Sequence, residues 1–159
     1  MATSMRNRTF ATIVLLLSTA LLCAQKVYRG TSTYSSDIVC NLNGGKMFKG
    51  NSSYMSDVLV RFDGNSLYRG NSSYNSDILL TYRNGKIYRG RSVYESDVVA
   101  NWRDGKMYGG TSVYQSDVLF TYRDNKVYRG NSVYQSDVLL NTSARLHPLL
   151  LYWILVASF

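Results

Sequence analysis

The hydrophobic and polar positions of this chain recur every twenty residues from residue 26 to about residue 141, with no insertion or deletion between units. Successive units begin at Lys26, Lys46, Ser66, Lys86, Lys106 and Lys126, which makes five full copies and a truncated sixth. The unit over residues 86–105, KIYRGRSVYESDVVANWRDG, shows the pattern. A period of this length marks a repeat architecture, in which one unit alone cannot bury its apolar face.

Each unit closes on a pair drawn only from Gly, Asn and Asp: Gly44-Gly45, Gly64-Asn65, Asn84-Gly85, Asp104-Gly105 and Asp124-Asn125. These residues tolerate positive φ at both centres of a type I′ turn, whose twist matches that of paired strands. The spacing therefore predicts one β-hairpin per unit. With the turn at Asn84-Gly85, Arg83 pairs with Lys86, Tyr82 with Ile87, Thr81 with Tyr88 and Leu80 with Arg89. One face then carries Ile78, Leu80, Tyr82 and Ile87, and the other carries Leu79, Thr81, Tyr88 and Gly90. Both faces are partly apolar, so neighbours or the C-terminal tail are expected to cover the hairpins on both sides. A lone hairpin is marginal in water, so the units must associate. The predicted fold is all-β, an array of six twenty-residue β-hairpin repeats, stacked or closed into a ring. A parallel β-solenoid, with one unit per coil, is the alternative that the constant period also allows.

Between hairpins runs a link, residues 90–97 in the fourth unit. It holds the five positions that never vary: a glycine such as Gly90, then the box S-x-Y-x-S-D, as in Ser92, Tyr94, Ser96 and Asp97. The glycine suits a strained φ or a close backbone approach. Short oxygen-bearing side chains bond nearby backbone N–H groups and hold a turn. The residue between the tyrosine and the second serine varies freely (Ser35, Met55, Asn75, Glu95, Gln115, Gln135), which marks it as solvent-facing. Tyr34, Tyr54, Tyr74, Tyr94, Tyr114 and Tyr134 are expected to be mostly buried between units, because an unvarying aromatic among small polar residues is explained by packing.

The string YRNGKIYRG, residues 82–90, resembles the hairpin half of membrane occupation and recognition nexus (MORN) repeats, with their Y-x-x-G-x-x-Y-x-G spacing. The likeness covers about half of each unit; the other half carries S-x-Y-x-S-D where that family has a glycine-rich segment, and the period here is shorter. The resemblance implies laterally stacked hairpins and a binding or scaffolding role.

The flanks divide the chain into three parts. Residues 1–24 run from Arg6 and Arg8 through an apolar stretch to Ala24, the order of a secretory signal peptide. Residues 25–141 form the repeat domain. Residues 142–159 are an apolar tail, too short for a membrane helix, and are expected as a strand or short helix that caps the array. The other reading of the tail is a lipid-anchor signal, small residues from Asn141 to Ala144 followed by a hydrophobic end, and only then is a membrane a partner. The expected location is secreted, cell-surface or periplasmic.

Composition changes the picture little and excludes much. The chain has 159 residues, 45% hydrophobic and 18% charged, with a formal charge of +8, so it buries a core. Fourteen tyrosines and a single proline fit β-structure. Beyond the leader, Cys40 is the one remaining thiol, so no intrachain disulfide framework exists, and its position in other units is held by apolar residues. The lone His147 has no Cys or carboxylate at metal-ligand spacing, so no zinc or Ser/His site is expected. Asp37, Asp57, Asp77, Asp97, Asp117 and Asp137 lack the dense oxygen cluster of calcium loops and are read as turn caps. No catalytic residue, cofactor or metal is expected.

Basic residues recur at Arg29, Lys49, Arg69, Arg89 and Arg129, beside Tyr28, Phe48, Tyr68, Tyr88 and Tyr128. Such a stripe suits phosphates or acidic glycans, although a solvated face with arginine stems over tyrosines accounts for it as well. Nucleic acid is not an expected partner. The candidate ligand-binding or inter-repeat surface comprises Arg69, Tyr88, Arg89, Tyr94, Asp97 and Arg129. Asn51, Asn71 and Asn141 begin N-x-[ST] sequons, which carry sugar in a eukaryotic secretory route. Two functional classes follow. The first is a secreted, non-enzymatic structural or protein-interaction module that faces a protein, a cell envelope or itself. The second is a multivalent, lectin-like or acidic-ligand-binding protein with equivalent sites on each repeat.

Overall fold

A computed structural model describes residues 24–157, so the predicted leader lies outside the described residues except for Ala24. Each unit supplies two strands. The first strands are β1 (Gln25–Arg29), β3 (Lys46–Lys49), β5 (Ser66–Arg69), β7 (Lys86–Arg89), β9 (Lys106–Gly109) and β11 (Lys126–Arg129). The second strands are β2 (Ile38–Asn43), β4 (Val58–Phe62), β6 (Ile78–Arg83), β8 (Val98–Arg103), β10 (Val118–Arg123) and β12 (Val138–Thr142). Strands adjacent in sequence pair antiparallel, and β12 pairs with β1, so the sheet closes into a twelve-stranded barrel. The ring is therefore the form the array takes, and the solenoid is excluded because no neighbours run parallel. All two-residue turns fall on one rim and all links on the other.

The hairpin register is the one the turn pairs dictate: Arg83↔Lys86, Tyr82↔Ile87, Thr81↔Tyr88 and Leu80↔Arg89. Positive φ occurs at both central residues in Gly44-Gly45, Asn84-Gly85, Asp104-Gly105 and Asp124-Asn125. At Gly64-Asn65 only Gly64 has it, the pattern of a type II′ turn, and the Asp63 carboxylate accepts the N–H groups of Asn65 (3.1 Å) and Ser66 (2.8 Å).

The two apolar faces have two separate explanations. Across each link the register slips by one residue, so Tyr88 faces Val98 while Ile87 faces Ala100, leaving Val99 as a β-bulge. The bulge residues Val39, Leu79, Val99 and Leu139 thereby pack against the same core as their inward neighbours. The outward aromatics Phe48, Tyr68, Tyr88, Tyr108 and Tyr128 are also buried, and they stand apart from that core. A polar residue on each second strand holds the next unit's link. The side-chain amide of Asn41 donates to the carbonyls of Gly50 (3.0 Å) and Ser52 (2.8 Å), and Thr81 Oγ1 donates to that of Gly90 (2.6 Å). Arg61, Asn101 and Thr121 make the equivalent bonds, and Asn141 donates to Ser32 O (3.1 Å), which carries the series across the seam.

Twelve strands enclose more space than their own side chains fill; about eight strands are the number at which they suffice. The C-terminal tail occupies the remainder. After β12 the chain turns inward at the turn rim, where the Leu146 N–H donates to Tyr122 Oη (3.1 Å) and that hydroxyl shares a hydrogen with Thr142 Oγ1 (2.9 Å). A short helix, α1 (Pro148–Tyr152), follows and continues as a π-type turn over Trp153–Ala157. Proline at its start loses no hydrogen bond, and His147 caps it, with Nδ1 accepting the Leu149 N–H at 3.2 Å. Leu149, Leu150 and Leu151 are at most 1% exposed, and they share one core with Val27, Cys40, Met47, Leu67, Ile87, Met107 and Val127 from around the ring. Burial pushes the Cys40 thiol up to about 12, so it stays protonated.

Two outcomes follow from the plug. Leu150→Ala should cost about 2–5 kcal/mol and lower the thermal midpoint sharply, whereas Gln115→Ala, at an exposed link position, should leave it unchanged. His147 sits between the rings of Phe62 (4.9 Å) and Tyr82 (4.7 Å), and burial holds its imidazole below the ordinary 6.5. The unfolded chain therefore takes up the proton first. Stability present above about pH 6.5 should fall as pH drops toward the depressed folded value, and protonated Nδ1 also loses its acceptor role. Melting curves at pH 7.5 and pH 5 would show this, and His147→Asn, which keeps a capping acceptor, should flatten the difference.

Candidate functional site

The links carry the five unvarying positions of each unit and lie outside the strands of the barrel. Gly90 opens the fourth link at φ 56, a left-handed conformation repeated by the other five invariant glycines. A Cβ there would meet Ile78 O at 3.7 Å, so φ rather than space requires glycine. The Ser92 N–H then donates to Arg89 O (3.2 Å), and Ser92 Oγ accepts the Tyr94 N–H (3.2 Å) while donating to Asp97 Oδ2 (2.5 Å). The Asp97 N–H returns to Tyr94 O (3.0 Å), closing a 3-10 turn over Glu95–Asp97. Five other links repeat this lock between Ser32 and Asp37, Ser52 and Asp57, Ser72 and Asp77, Ser112 and Asp117, and Ser132 and Asp137. A hydroxyl bonded to a carboxylate is among the stronger hydrogen bonds available to side chains.

Tyr94 is the N-cap of that turn with extended backbone (φ −84, ψ 141), and its ring projects outward. The expectation that the box tyrosines pack between units is overturned: all six are 71–74% exposed. The lock is made by serine, aspartate and backbone, so the ring has no part in holding the loop. Packing between strands falls instead to the aromatic two residues before the glycine, as Tyr88 is 7% exposed. The second serine, Ser96, is exposed as well, as are its five equivalents. The tyrosine ring thus has no account in the fold, and of the second serines Ser116 donates to Asp117 Oδ1 at 3.1 Å.

The six residues singled out from the sequence do not form one surface. Tyr88 is buried on the outer face, and Asp97 is engaged by Ser92. Tyr94 projects from the link. Arg69, Arg89 and Arg129 are exposed at the link rim, opposite Val60, Leu80 and Phe120 respectively, which places them on the lumen side. The aromatic and basic stripe is therefore divided between two faces, because adjacent strand residues point opposite ways. The Asn/Thr/Arg latches on the second strands escaped the sequence reading, although polar residues recurring opposite an outward aromatic were a usable signal.

Among the described residues no group of three or more His, Cys, Asp or Glu side chains is placed to hold a metal ion. Open grooves at the turn rim include one of about 520 Å³ lined by Tyr122, Asp124, Asn125 and Arg145 and one of about 410 Å³ lined by Asn65, Ser66, Thr81, Tyr82, Arg83 and Asn84. Neither reaches the links.

A family model described as "6-fold beta flower protein" matches residues 27–153, from the first strand of the barrel into the plug. No curated protein and no solved structure matches the chain. The family found is thus not the MORN repeats, and what the two have in common here is a β-fold built from repeats. With the match spanning the whole ring of six hairpin units, the chain belongs to the six-fold β-flower family.

Proposed function

We propose that this protein is an exported, non-enzymatic interaction module, in which six rigid links present equivalent tyrosine contacts to a partner with repeated features. The observation that carries this reading is the exposure of six tyrosines, each 71–74%, on loops that do not need them. The surrounding exposed positions have drifted between copies: Thr33, Ser53, Ser73, Val93, Val113 and Val133 on one side of the tyrosine, and Ser35 through Gln135 on the other. Duplication alone would leave the tyrosine as variable as its neighbours. Tyrosine offers a large amphipathic contact area with few rotamers to immobilise, which suits recognition. The serine–aspartate lock supports the same reading, since a pre-ordered loop loses little entropy on binding.

One contact of this kind is weak, and the ring supplies six at fixed spacing. Strands lie about 4.8 Å apart, so links recur at intervals of roughly 10 Å or more around the rim. Avidity then does what a deep pocket would do elsewhere. The basic, apolar and small-residue order of residues 1–24 supports export. A lectin-like reading is favoured by one feature, the pairing of each bare aromatic face with an exposed serine, as in Tyr94 and Ser96, a combination suited to the apolar face and hydroxyl edge of a sugar ring.

Tyr74→Ala and Tyr94→Ala should melt within about 0.5 kcal/mol of the parent, while Tyr88→Ala should cost about 3–5 kcal/mol. Binding should then be measured on a glycan array and on immobilised cell-surface proteins, with one, three and six link tyrosines replaced. Loss that steepens with each tyrosine removed is the expected result, and the surface that responds separates the lectin from the protein-interaction reading. A six-tyrosine variant that binds as the parent does would sink the proposal.

A further inference from the structure

Ring closure brings together charges that are twenty residues apart in the chain. Arg29, Lys49, Arg69, Arg89 and Arg129 each stand directly across from an inward-facing core residue, namely Leu140, Cys40, Val60, Leu80 and Phe120. Residues paired across antiparallel strands share a face. All five cations therefore stand on the lumen side at one level, beside buried inward residues of the second strands, and all five are exposed. The sixth place in the ring is Gly109, opposite Ala100. Inside the ring lies the plug: burial raises the Tyr152 hydroxyl, the nearby Arg89 charge partly offsets this, and the helix continues past Tyr152 over Trp153–Ala157.

None of the five cations takes part in an ion pair among the described residues; the pairs formed are Lys86–Glu95, Arg103–Asp104 and Arg123–Asp124. The aspartates of the links each have an oxygen committed to their own serine. The carbonyl end of a helix carries at most about half an elementary charge, well short of balancing five. A tilted twelve-stranded barrel is roughly 20–25 Å across at the backbone, so neighbouring cations, two strands apart, stand roughly 10 Å from one another around the plug. That spacing is comparable to the Debye length, about 8 Å at physiological salt, so the charges act together most strongly at low salt.

We propose that the link-side mouth of the barrel is a binding site for a compact polyanion carrying several sulfate or phosphate groups. The gap at Gly109 breaks the six-fold symmetry and gives the ring one uncharged side. This site stands independently of the link tyrosines, which project outward from the same rim.

Titration with inorganic tripolyphosphate and with a heparin tetrasaccharide, at 20 mM and 150 mM salt, tests the proposal on the full mature chain. At least one probe should bind, more weakly at the higher salt, and the one that binds names the source of the oxyanions. The triple variant Arg69→Ala/Arg89→Ala/Arg129→Ala should loosen it by about tenfold or more. A control with the same charge loss at the other rim, Arg83→Ala/Arg103→Ala/Arg123→Ala, should change it less than about twofold. Gly109→Arg should tighten binding several-fold by completing the ring. Its φ is not in the left-handed region, and a Cβ there meets Leu119 Cδ2 at 3.8 Å and Asp117 O at 3.9 Å, ordinary contacts. No binding of either probe, equal loss in the two triple variants, or no gain from Gly109→Arg in a chain that melts as the parent does would overturn the assignment.

Discussion

The pairing of β1 with β12 is the interaction on which the rest of the structure depends. Its register, Arg29↔Leu140, Tyr28↔Asn141 and Val27↔Thr142, is that of the hairpins, as in Arg89↔Leu80, Tyr88↔Thr81 and Ile87↔Tyr82. The first unit thus supplies the strand that a continuation of the sixth would have supplied. Where the other hairpins have a covalent turn, the seam has two hydrogen bonds: the Ser143 N–H donates to Lys26 O (2.9 Å) and the Lys26 N–H to Ser143 Oγ (2.8 Å). Without the seam, two strand edges would be left as templates for pairing with other chains. The lumen would also open, and the leucines of α1 would lose the wall that buries them.

Closure at twelve strands creates a second requirement, since an empty lumen would forfeit the contacts of every inward side chain. The tail meets it from the same point at which the seam is made. Thr142 pairs with Val27, its hydroxyl meets that of Tyr122, and Tyr122 receives the Leu146 N–H that begins the inward path. Seam and plug are therefore one cooperative unit, and the truncation of the sixth repeat is what frees the chain to fill the barrel.

The link rim divides its labour between two directions. Outward, serine–aspartate locks hold tyrosines away from the wall; inward, exposed cations surround the plug. Both arrangements are set by the strands of the barrel wall, whose adjacent residues point to opposite faces. The turn rim carries the chain's entry into the barrel and the short turns, whose φ values leave little freedom for elaboration.

Much of this was legible along the chain. The twenty-residue period, the hairpin in each unit and the pairing of Arg83 with Lys86 follow from residues within a few positions of one another, because positive φ at Asn84-Gly85 selects the turn and the turn selects the register. The capping role of the serine and aspartate was legible for the same reason, their partners being at most five residues away. Closure was not, because it joins residues more than 100 positions apart, as in Asn141 to Ser32, and stacking or closing leaves the local pattern unchanged. The tyrosines were misjudged because invariance and burial look alike in one chain; only the outward fold of the link decides that Tyr94 meets solvent while Tyr88 does not. The ring of cations is likewise a product of tertiary structure, since a period in sequence becomes a circle in space only when the last strand meets the first.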